Sequence, residues 1–403
     1  MGKIAFLTRV YNGEPYLRQC VESVLRQTEG NLAYYLCDNG STDHTRAIIQ
    51  EYAQKDSRIR PVYFEENLPL ASMNLLLKQI YAGDCDYLAV LDGDDWYSPS
   101  FAQKGREALE RTGAGLFLAG SAFHQAETGE VLGLRSLGTE LLLGRDQLAA
   151  AFPSLHVFLR TYWGKLLRLS LLREGPLLVD ESLYYGSDTI FLLEYLVRCR
   201  QVAGTGEILH HYRVHSSSDS GRYSPARFRD DEFQRRRTEE LLAELGPVSG
   251  ENHFFLSLVF LNAAIDTGRL YLNSRLPAEE LIRQLEEMFF SSPLEKAWRL
   301  VCAQAPAQWE ISRMRAGVQE AAGALVGMLI PQGGGSALPP WEACLRGAKL
   351  LYRLSLFLAD PILRGQALTL RCAYARRAGD REEEARAAAE LSALLPAKGG
   401  LFE

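Results

Sequence analysis

Leu88-Ala89-Val90-Leu91-Asp92-Gly93-Asp94-Asp95-Trp96 runs four apolar residues straight into a four-residue turn holding three carboxylates. An apolar run of this length reads as a strand buried on both faces, so it delivers the turn to a fixed place. An acidic turn after a strand is ordinarily a solvated loop. Fixed in this way, it can instead serve a hard cation such as Mg²⁺ or Mn²⁺, which takes oxygen ligands, retains waters and shares phosphate oxygens with the protein. One carboxylate is enough for the metal, and a neighbour can reach a ribose hydroxyl.

Working outward, the preceding ninety residues alternate between short apolar runs and helical periodicity. Residues 4–7 read as a strand, and Leu17, Val21, Val24 and Leu25 recur at helical spacing after Pro15. Residues 33–37 are a second strand ending in Asp38-Asn39-Gly40-Ser41, with Ser41 or Thr42 placed to cap a helix carrying Ala47, Ile48 and Tyr52. A strand over 59–64, a helix over 71–81 and a strand over 87–91 complete the series. Strand and helix alternating at these lengths predict an α/β domain with a mostly parallel sheet covered on both faces. Ligands of such sheets bind outside the carboxyl ends of the strands. Three strands end there in polar residues, namely Thr8-Arg9-Tyr11-Asn12, Asp38-Asn39 and the acidic turn, so three loops are expected at one crevice.

Downstream, Gly129 and Gly133 suggest hairpins, helices are expected over 146–151 and 189–199, and a strand over 208–214 leads into Ser216-Ser217-Ser218. From about residue 223 long amphipathic patterns take over, at 233–245, 254–272, 278–290, 341–358 and 382–394, with a loop at 331–340. The expected division is an α/β domain over 1–222 followed by an all-α domain over 223–403. A length of 403 residues fits two domains. The net charge of −6 excludes a nucleic-acid binder, which needs a basic face. Seven scattered cysteines without a CxxC pair read as reduced thiols. The apolar run at 4–7 is too short for a signal-peptide core and that at 254–265 too short for a span, so a soluble cytoplasmic protein is expected. Arg346, Lys349, Arg353, Arg364 and Arg371 leave two readings open: peripheral contact with an anionic inner membrane face, or helices packed on their own domain with charged outer surfaces.

Thr8-Arg9-Val10-Tyr11-Asn12-Gly13, Asp38-Asn39-Gly40-Ser41-Thr42-Asp43 and Leu91-Asp92-Gly93-Asp94-Asp95-Trp96, in this order, resemble the successive signatures of family 2 glycosyltransferases of the GT-A (Rossmann-like) fold. Glu66-Asn67-Leu68 with Asn74, Trp163-Gly164-Lys165-Leu166, Gly186-Ser187-Asp188-Thr189 and Tyr212-Arg213-Val214-His215-Ser216 extend the likeness over roughly residues 3 to 220. The resemblance implies a nucleotide-diphosphate sugar donor, a Mn²⁺ or Mg²⁺ cofactor, and a glycan, lipid-linked or protein acceptor. It places Thr8, Arg9, Tyr11, Asn12, Asn67 and Arg213 around the nucleotide, with Asp38 accepting from the base, which favours UDP. It assigns Asp92 to the ribose, Asp94 to the metal with His215 as the distant second ligand, and Asp188 to the catalytic base. Relatives usually carry Glu-Asp where this chain has Ser187-Asp188, and Pro where it has Arg9.

The chemistry agrees with those assignments. Transfer from a nucleotide diphosphate needs the leaving group's charge neutralised and one acceptor hydroxyl deprotonated. One base and one metal imply a single displacement with inversion, and surface polysaccharide or glycoconjugate synthesis is the expected setting. Plainer roles stay open: Asp38 or Asp188 as a helix cap, His215 as a packed strand histidine, Trp96 and Trp163 as wall or core aromatics. So do two other functions, nucleotide-sugar binding without turnover and nucleotidyl transfer, and self-association through the helical half.

Overall fold

The computed structural model describes residues 2–173, 175–215, 223–304, 309–330 and 338–394. The Ser216-Ser217-Ser218 loop, the boundary expected at 222 and Gly333-Gly334-Gly335 lie outside the described residues. The chain divides into two compact units, residues 1–220 with 236–252 and residues 221–235 with 253–403.

In the first unit the elements run β1 (Ile4–Val10), α1 (Leu17–Leu25), β2 (Leu32–Asn39), α2 (Thr45–Lys55), β3 (Ile59–Phe64), α3 (Ala71–Tyr81), β4 (Tyr87–Val90), β5 (Trp96–Tyr97), α4 (Phe101–Thr112), β6 (Leu116–Gln125), β7 (Val131–Arg135), β8 (Leu141–Gly144), α5 (Arg145–Leu155), β9 (Lys165–Arg168), α6 (Ser170–Arg173), α7 (Ser187–Leu196) and β10 (Gln201–Val214). Along the sheet the strand order is β3-β2-β1-β4-β9-β6-β10-β5, with β7 on β6 and β8 on β10. The block β3-β2-β1-β4 is parallel, as the alternating pattern predicts. Antiparallel β9 joins it to β6, which pairs parallel with the long β10. The chain leaves β1 toward β2 on one side and returns to β4 on the other. That reversal opens a crevice at the carboxyl ends of β1 and β4, where the first and third polar loops stand.

Apolar strand residues explain the sheet's burial: Ile4, Phe6, Leu36, Ala89 and Leu91 pack with Leu17, Val21 and Val24 of α1 in one core. A loop detail departs from expectation. The residue before α2 is His44, and neither Ser41 nor Thr42 caps it. Ser41 Oγ accepts the Asn12 N–H and the Thr42 N–H reaches Asn12 Oδ1, so both residues serve the neighbouring loop.

The second unit is helical, as expected: α8 (Arg227–Leu245), α9 (Gly250–Asn273), α10 (Ala278–Phe289), α11 (Ser292–Gln304), α12 (Trp309–Leu329), α13 (Trp341–Leu358), α14 (Pro361–Ala378) and α15 (Arg381–Leu394), with α8 and α9 each shared by the two units. Their apolar faces form one core around Ile282, Leu285, Leu325, Leu350 and Leu354. Helix α9 is long and apolar enough to cross a membrane by length and composition, and half of its most apolar window is buried within the protein. Of the five cations noted on the last helices, Arg346, Lys349, Arg353 and Arg371 are in ion pairs with Glu286, Glu383, Glu295 and Glu383 of the same unit. They are largely neutralised at home.

Gly40 shapes the crevice. It has φ +78°, and a Cβ there would lie 2.4 Å from the carbonyl carbon of Glu66. Gly40→Ala is expected to destabilise the protein by about 1–3 kcal/mol, through strain in the left-handed region and displacement of the Glu66 backbone. A urea melt of the two proteins measures it.

Candidate active site

The first two loops are stitched together by backbone donors and short polar side chains. Asn12 adopts φ +52°, the left-handed conformation that asparagine tolerates better than most residues. Its carbonyl oxygen accepts the Thr42 N–H at 2.8 Å, and its own N–H donates to Ser41 Oγ at 2.9 Å. Gly13 N–H donates to Thr45 Oγ1, and Glu14 N–H to Asp43. Asn39 donates to Asn67 Oδ1 at 2.7 Å and accepts from Leu68 N–H, which adds the segment before α3. Tyr11 stands free, 48% exposed.

Thr8 and Asp38 are placed differently from their sequence reading. Both are fully buried. Tyr34 donates to the Thr8 hydroxyl at 3.0 Å, so Thr8 braces the loop from beneath. Asp38 accepts the Ser41 N–H at 2.9 Å and Arg46 Nε at 2.7 Å. Its carboxylate is committed to shaping the second loop, and Arg46 is the partly exposed member of the pair.

At the third loop Asp92 projects to solvent from a crowded floor. That crowding, followed by the nearby Asp94 carboxylate, pushes its carboxyl up to about 7, and Arg9 opposes the shift. Arg9 sits partly buried between the first and third loops, with Nη1 donating to Ser72 Oγ at 3.2 Å. Asp94 Oδ2 lies 3.0 Å from His215 Nε2. Asp95 turns inward: it accepts the Arg213 N–H at 2.8 Å and lies 3.3 Å from His210 Nε2. Burial raises the Asp95 carboxyl and lowers the His210 imidazole, driving both toward their neutral forms.

Arg213 joins these parts. Its Nε donates to the Asp94 carbonyl at 3.0 Å and its Nη2 to Gln19 Oε1 at 2.7 Å. The guanidinium lies 4.5 Å from the Tyr16 ring centre and 4.9 Å from that of Trp96. Sequence analysis placed it on the diphosphate, but these contacts engage it within the protein, as a clamp between β10 and the acidic turn. Trp96 also stacks on His211, at 5.0 Å and 1° between planes. Alternation along β10 puts His211, Arg213 and His215 on one face, and all three stand by the acidic turn or its tryptophan. Trp163 is buried and stacked on His210 at 4.3 Å, a wall residue.

Asp188 occupies the first turn of α7, whose N-cap is Gly186 at φ +82°. The capping role left open for Asp188 therefore falls to Gly186. Burial pushes the Asp188 carboxyl up to about 6, while the Thr189 N–H, Arg160 and Lys165 pull it down. Asp188 also acts on Asp92 across the crevice, which puts the two acids in one electrostatic neighbourhood. The structure thus gathers Arg9, Asp92, Asp94, His215 and Asp188, sets Tyr11, Asn12 and Asn67 along the rim loops, and withdraws Thr8, Asp38 and Arg213 into supporting positions. Sequence reasoning gave no role to Lys165, which is 2% exposed. The one signal for it was a lysine inside the otherwise apolar strand Lys165-Leu166-Leu167.

A carboxylate oxygen and an imidazole nitrogen 3.0 Å apart, both partly exposed, are donors that suit Mn²⁺ or Mg²⁺. Among the described residues no group of three or more His, Cys, Asp or Glu side chains is placed to hold an ion. Asp94 and His215 therefore fit a site in which phosphate and water oxygens complete the coordination.

Comparison with known proteins follows the same part of the chain. Residues 6–174 match the glycosyl transferase family 2 profile. The uncharacterized glycosyltransferase EpsJ of Bacillus subtilis is 26% identical over 218 residues, 53% of this chain and 62% of that protein. Glycosyltransferase GlyA of Streptococcus pneumoniae is 35% identical over 103 residues, 25% of this chain and 14% of GlyA. The chain thus spans less than two thirds of the length of these relatives. Among solved structures, S. aureus TarS 1–349 in complex with UDP-GlcNAc aligns over 94% of this chain and 92% of its own, with 13% identity and a TM-score of 0.45. The family match thus covers the N-terminal part of this chain, less than half of its length.

Arg213→Met would keep much of the stem packing but leave the Asp94 carbonyl and Gln19 without their donor. A loss of about 1–3 kcal/mol is expected in a denaturant melt, and Arg213→Lys should not restore it, because an ammonium cannot stack flat between two rings.

Proposed function

We propose that the protein is an inverting, metal-dependent glycosyltransferase. It moves a sugar from a nucleotide-diphosphate donor, with UDP the favoured carrier, to a hydroxyl acceptor in surface polysaccharide or glycoconjugate synthesis. The catalytic domain is assigned to residues 1–222 and the helical domain to 223–403, and the reaction to the cytoplasm. The observation that carries this reading is the acidic turn at the carboxyl end of β4, where Asp94 Oδ2 lies 3.0 Å from His215 Nε2, 121 positions on in the sequence, beside Asp92.

Asp94 and His215 would hold the cation, which when bound supplies charge neutralisation for the departing diphosphate. Arg9, beside Asp92, adds a fixed positive charge to the same end of the crevice. Tyr11, Asn12 and Asn67 border the nucleotide, with Asp92 toward the ribose. Asp188 takes the proton from the acceptor hydroxyl as it attacks. A carboxyl raised to about 6 suits that work, since it is largely ionised at neutral pH and yet more basic than an ordinary aspartate. Ser187 stands where relatives usually have Glu. That difference bears on acceptor contacts or on the tuning of the base.

Thermal-shift titration with nucleotides and nucleotide sugars is the first test. UDP or a UDP-sugar with Mn²⁺ is expected to stabilise most, and a clear preference for GDP or CMP carriers would remove the UDP assignment. Asp188→Asn should lower sugar transfer or donor hydrolysis by roughly 10²–10⁴-fold with UDP binding retained, whereas Asp94→Asn should weaken Mn²⁺-dependent UDP binding itself. Wild-type protein that binds UDP-sugars yet neither transfers nor hydrolyses them would favour binding without turnover.

The pH profile gives an independent check. The base works only as a carboxylate, so protonation removes activity. Transfer should be level above about pH 6 and fall about tenfold per unit below it. A profile flat down to pH 4.5 would exclude Asp188 as the base.

A further inference from the structure

Asp188 faces a concentration of positive charge, of which it feels Arg160 and Lys165 directly and which outnumbers it three to one. Arg135 at the end of β7, Arg160 in the loop before β9 and Lys165 at the start of β9 make it up. Their contacts are with neutral groups. Lys165 Nζ donates to the Trp163 carbonyl at 2.7 Å, and Arg160 Nη2 donates to the Tyr185 hydroxyl at 3.4 Å. The Arg135 guanidinium lies 5.1 Å from the Phe123 ring centre and 5.3 Å from that of Trp163. Among the described residues no Asp or Glu is in ion-pair contact with any of the three.

The three converge on one place. Lys165 Nζ is 5.6 Å from the same Trp163 ring that Arg135 covers. Thr189 Oγ1 donates to the Arg160 carbonyl at 3.4 Å, which holds the Arg160 loop against the first turn of α7, next to Asp188. Two observations show donors in this cluster that the protein's own acceptors leave unfilled. Arg135 Nη1 is buried without a hydrogen-bond partner. Lys165 is fully enclosed with one carbonyl as acceptor, although its ammonium carries three donors. Buried donors are normally satisfied and buried charges normally paired.

We infer that Arg135, Arg160 and Lys165 form a subsite for an anionic group, a carboxylate or a phosphate, on the sugar acceptor whose hydroxyl Asp188 deprotonates. The inference rests on the reading of Asp188 as the base. A guanidinium fork meets a carboxylate or phosphate with parallel hydrogen bonds, which the free Nη1 of Arg135 can join. In the absence of an anion the cations disfavour one another's charge. Burial and then Arg160 hold Arg135 down to about 10, and burial and then Arg135 hold Lys165 down to about 7. The diphosphate end of the crevice has its own charge partners in Arg9 and the Asp94–His215 pair, so this cluster is left for the acceptor.

Stacking of arginine on aromatic rings could by itself be a packing device, so the test reads ligand selectivity and stability together. Full-length protein loaded with UDP and Mn²⁺ is titrated calorimetrically with methyl glucoside, methyl glucuronide and glucose 6-phosphate. The subsite predicts that the acidic sugars bind at least about tenfold more tightly than the neutral one. The carboxylate and phosphate arms then show which anion it prefers. Arg135→Ala and the exposed Arg160→Ala should each erase that preference without changing the UDP affinity. Equal binding of the three sugars, binding of none, or a loss of UDP affinity in the variants matching the loss for sugars overturns the subsite. A wild-type protein that fails to bind UDP contradicts the glycosyltransferase reading itself, whereas UDP binding without acid preference removes only the subsite.

Discussion

One guanidinium holds the site in register. Arg213 reaches back from the end of β10, lies between the rings of Tyr16 and Trp96, and donates to the Asp94 carbonyl and to Gln19. Its own N–H is fixed on Asp95. These contacts set the height of β10 against the acidic turn and so decide that His215, two residues further on, stands 3.0 Å from Asp94. A lysine could supply the charge but neither the flat stacking surface nor the directed donors. The enclosure of this clamp also explains why Arg213 is unsuited to meeting a ligand: its interactions are spent on the protein.

The same economy recurs at the other loops. Asp38 and Thr8 support from below, and the residues left open to the crevice are those whose charge is poorly matched. Asp94 and Asp188 both repel Asp92, which the packed floor beneath it desolvates although its edge meets solvent, and burial raises Asp188. Such a concentration of acid is costly for an empty protein and favourable once a cation or a proton enters. On the far side of Asp188 the sign reverses, with Arg135, Arg160 and Lys165 gathered around aromatic rings.

Much of this was legible in the chain. Apolar runs at 4–7, 33–37 and 87–91 mark the inner strands of the parallel block because burial on both faces leaves no room for polar residues, whereas β3 at the sheet edge carries Arg60 and is only partly buried. Elements that depend on partners were harder to see. β9 is four residues long and is a strand because β4 and β6 lie on either side of it. Helices α11, α12 and α14 were not read from periodicity. Yet α14 carried a local signal, Asp360 accepting from the Ile362 and Leu363 N–H groups just ahead of Pro361. The capping expectations failed where tertiary partners competed: Ser41 and Thr42 bond Asn12 instead, and Gly186 takes the N-cap ahead of Asp188.

By itself the sequence determined which residues could do chemistry and at which end of the sheet they lie, because strand direction and loop order follow from local patterning. It could not decide which polar side chains face the crevice and which turn beneath it. Asp38, Arg213 and Lys165 are equally polar on paper. Only the packing of β10 on the acidic turn, and of β9 between β4 and β6, sorts them. Burial and charge pairing depend on neighbours brought from a hundred residues away, and those neighbours are assigned by tertiary structure alone.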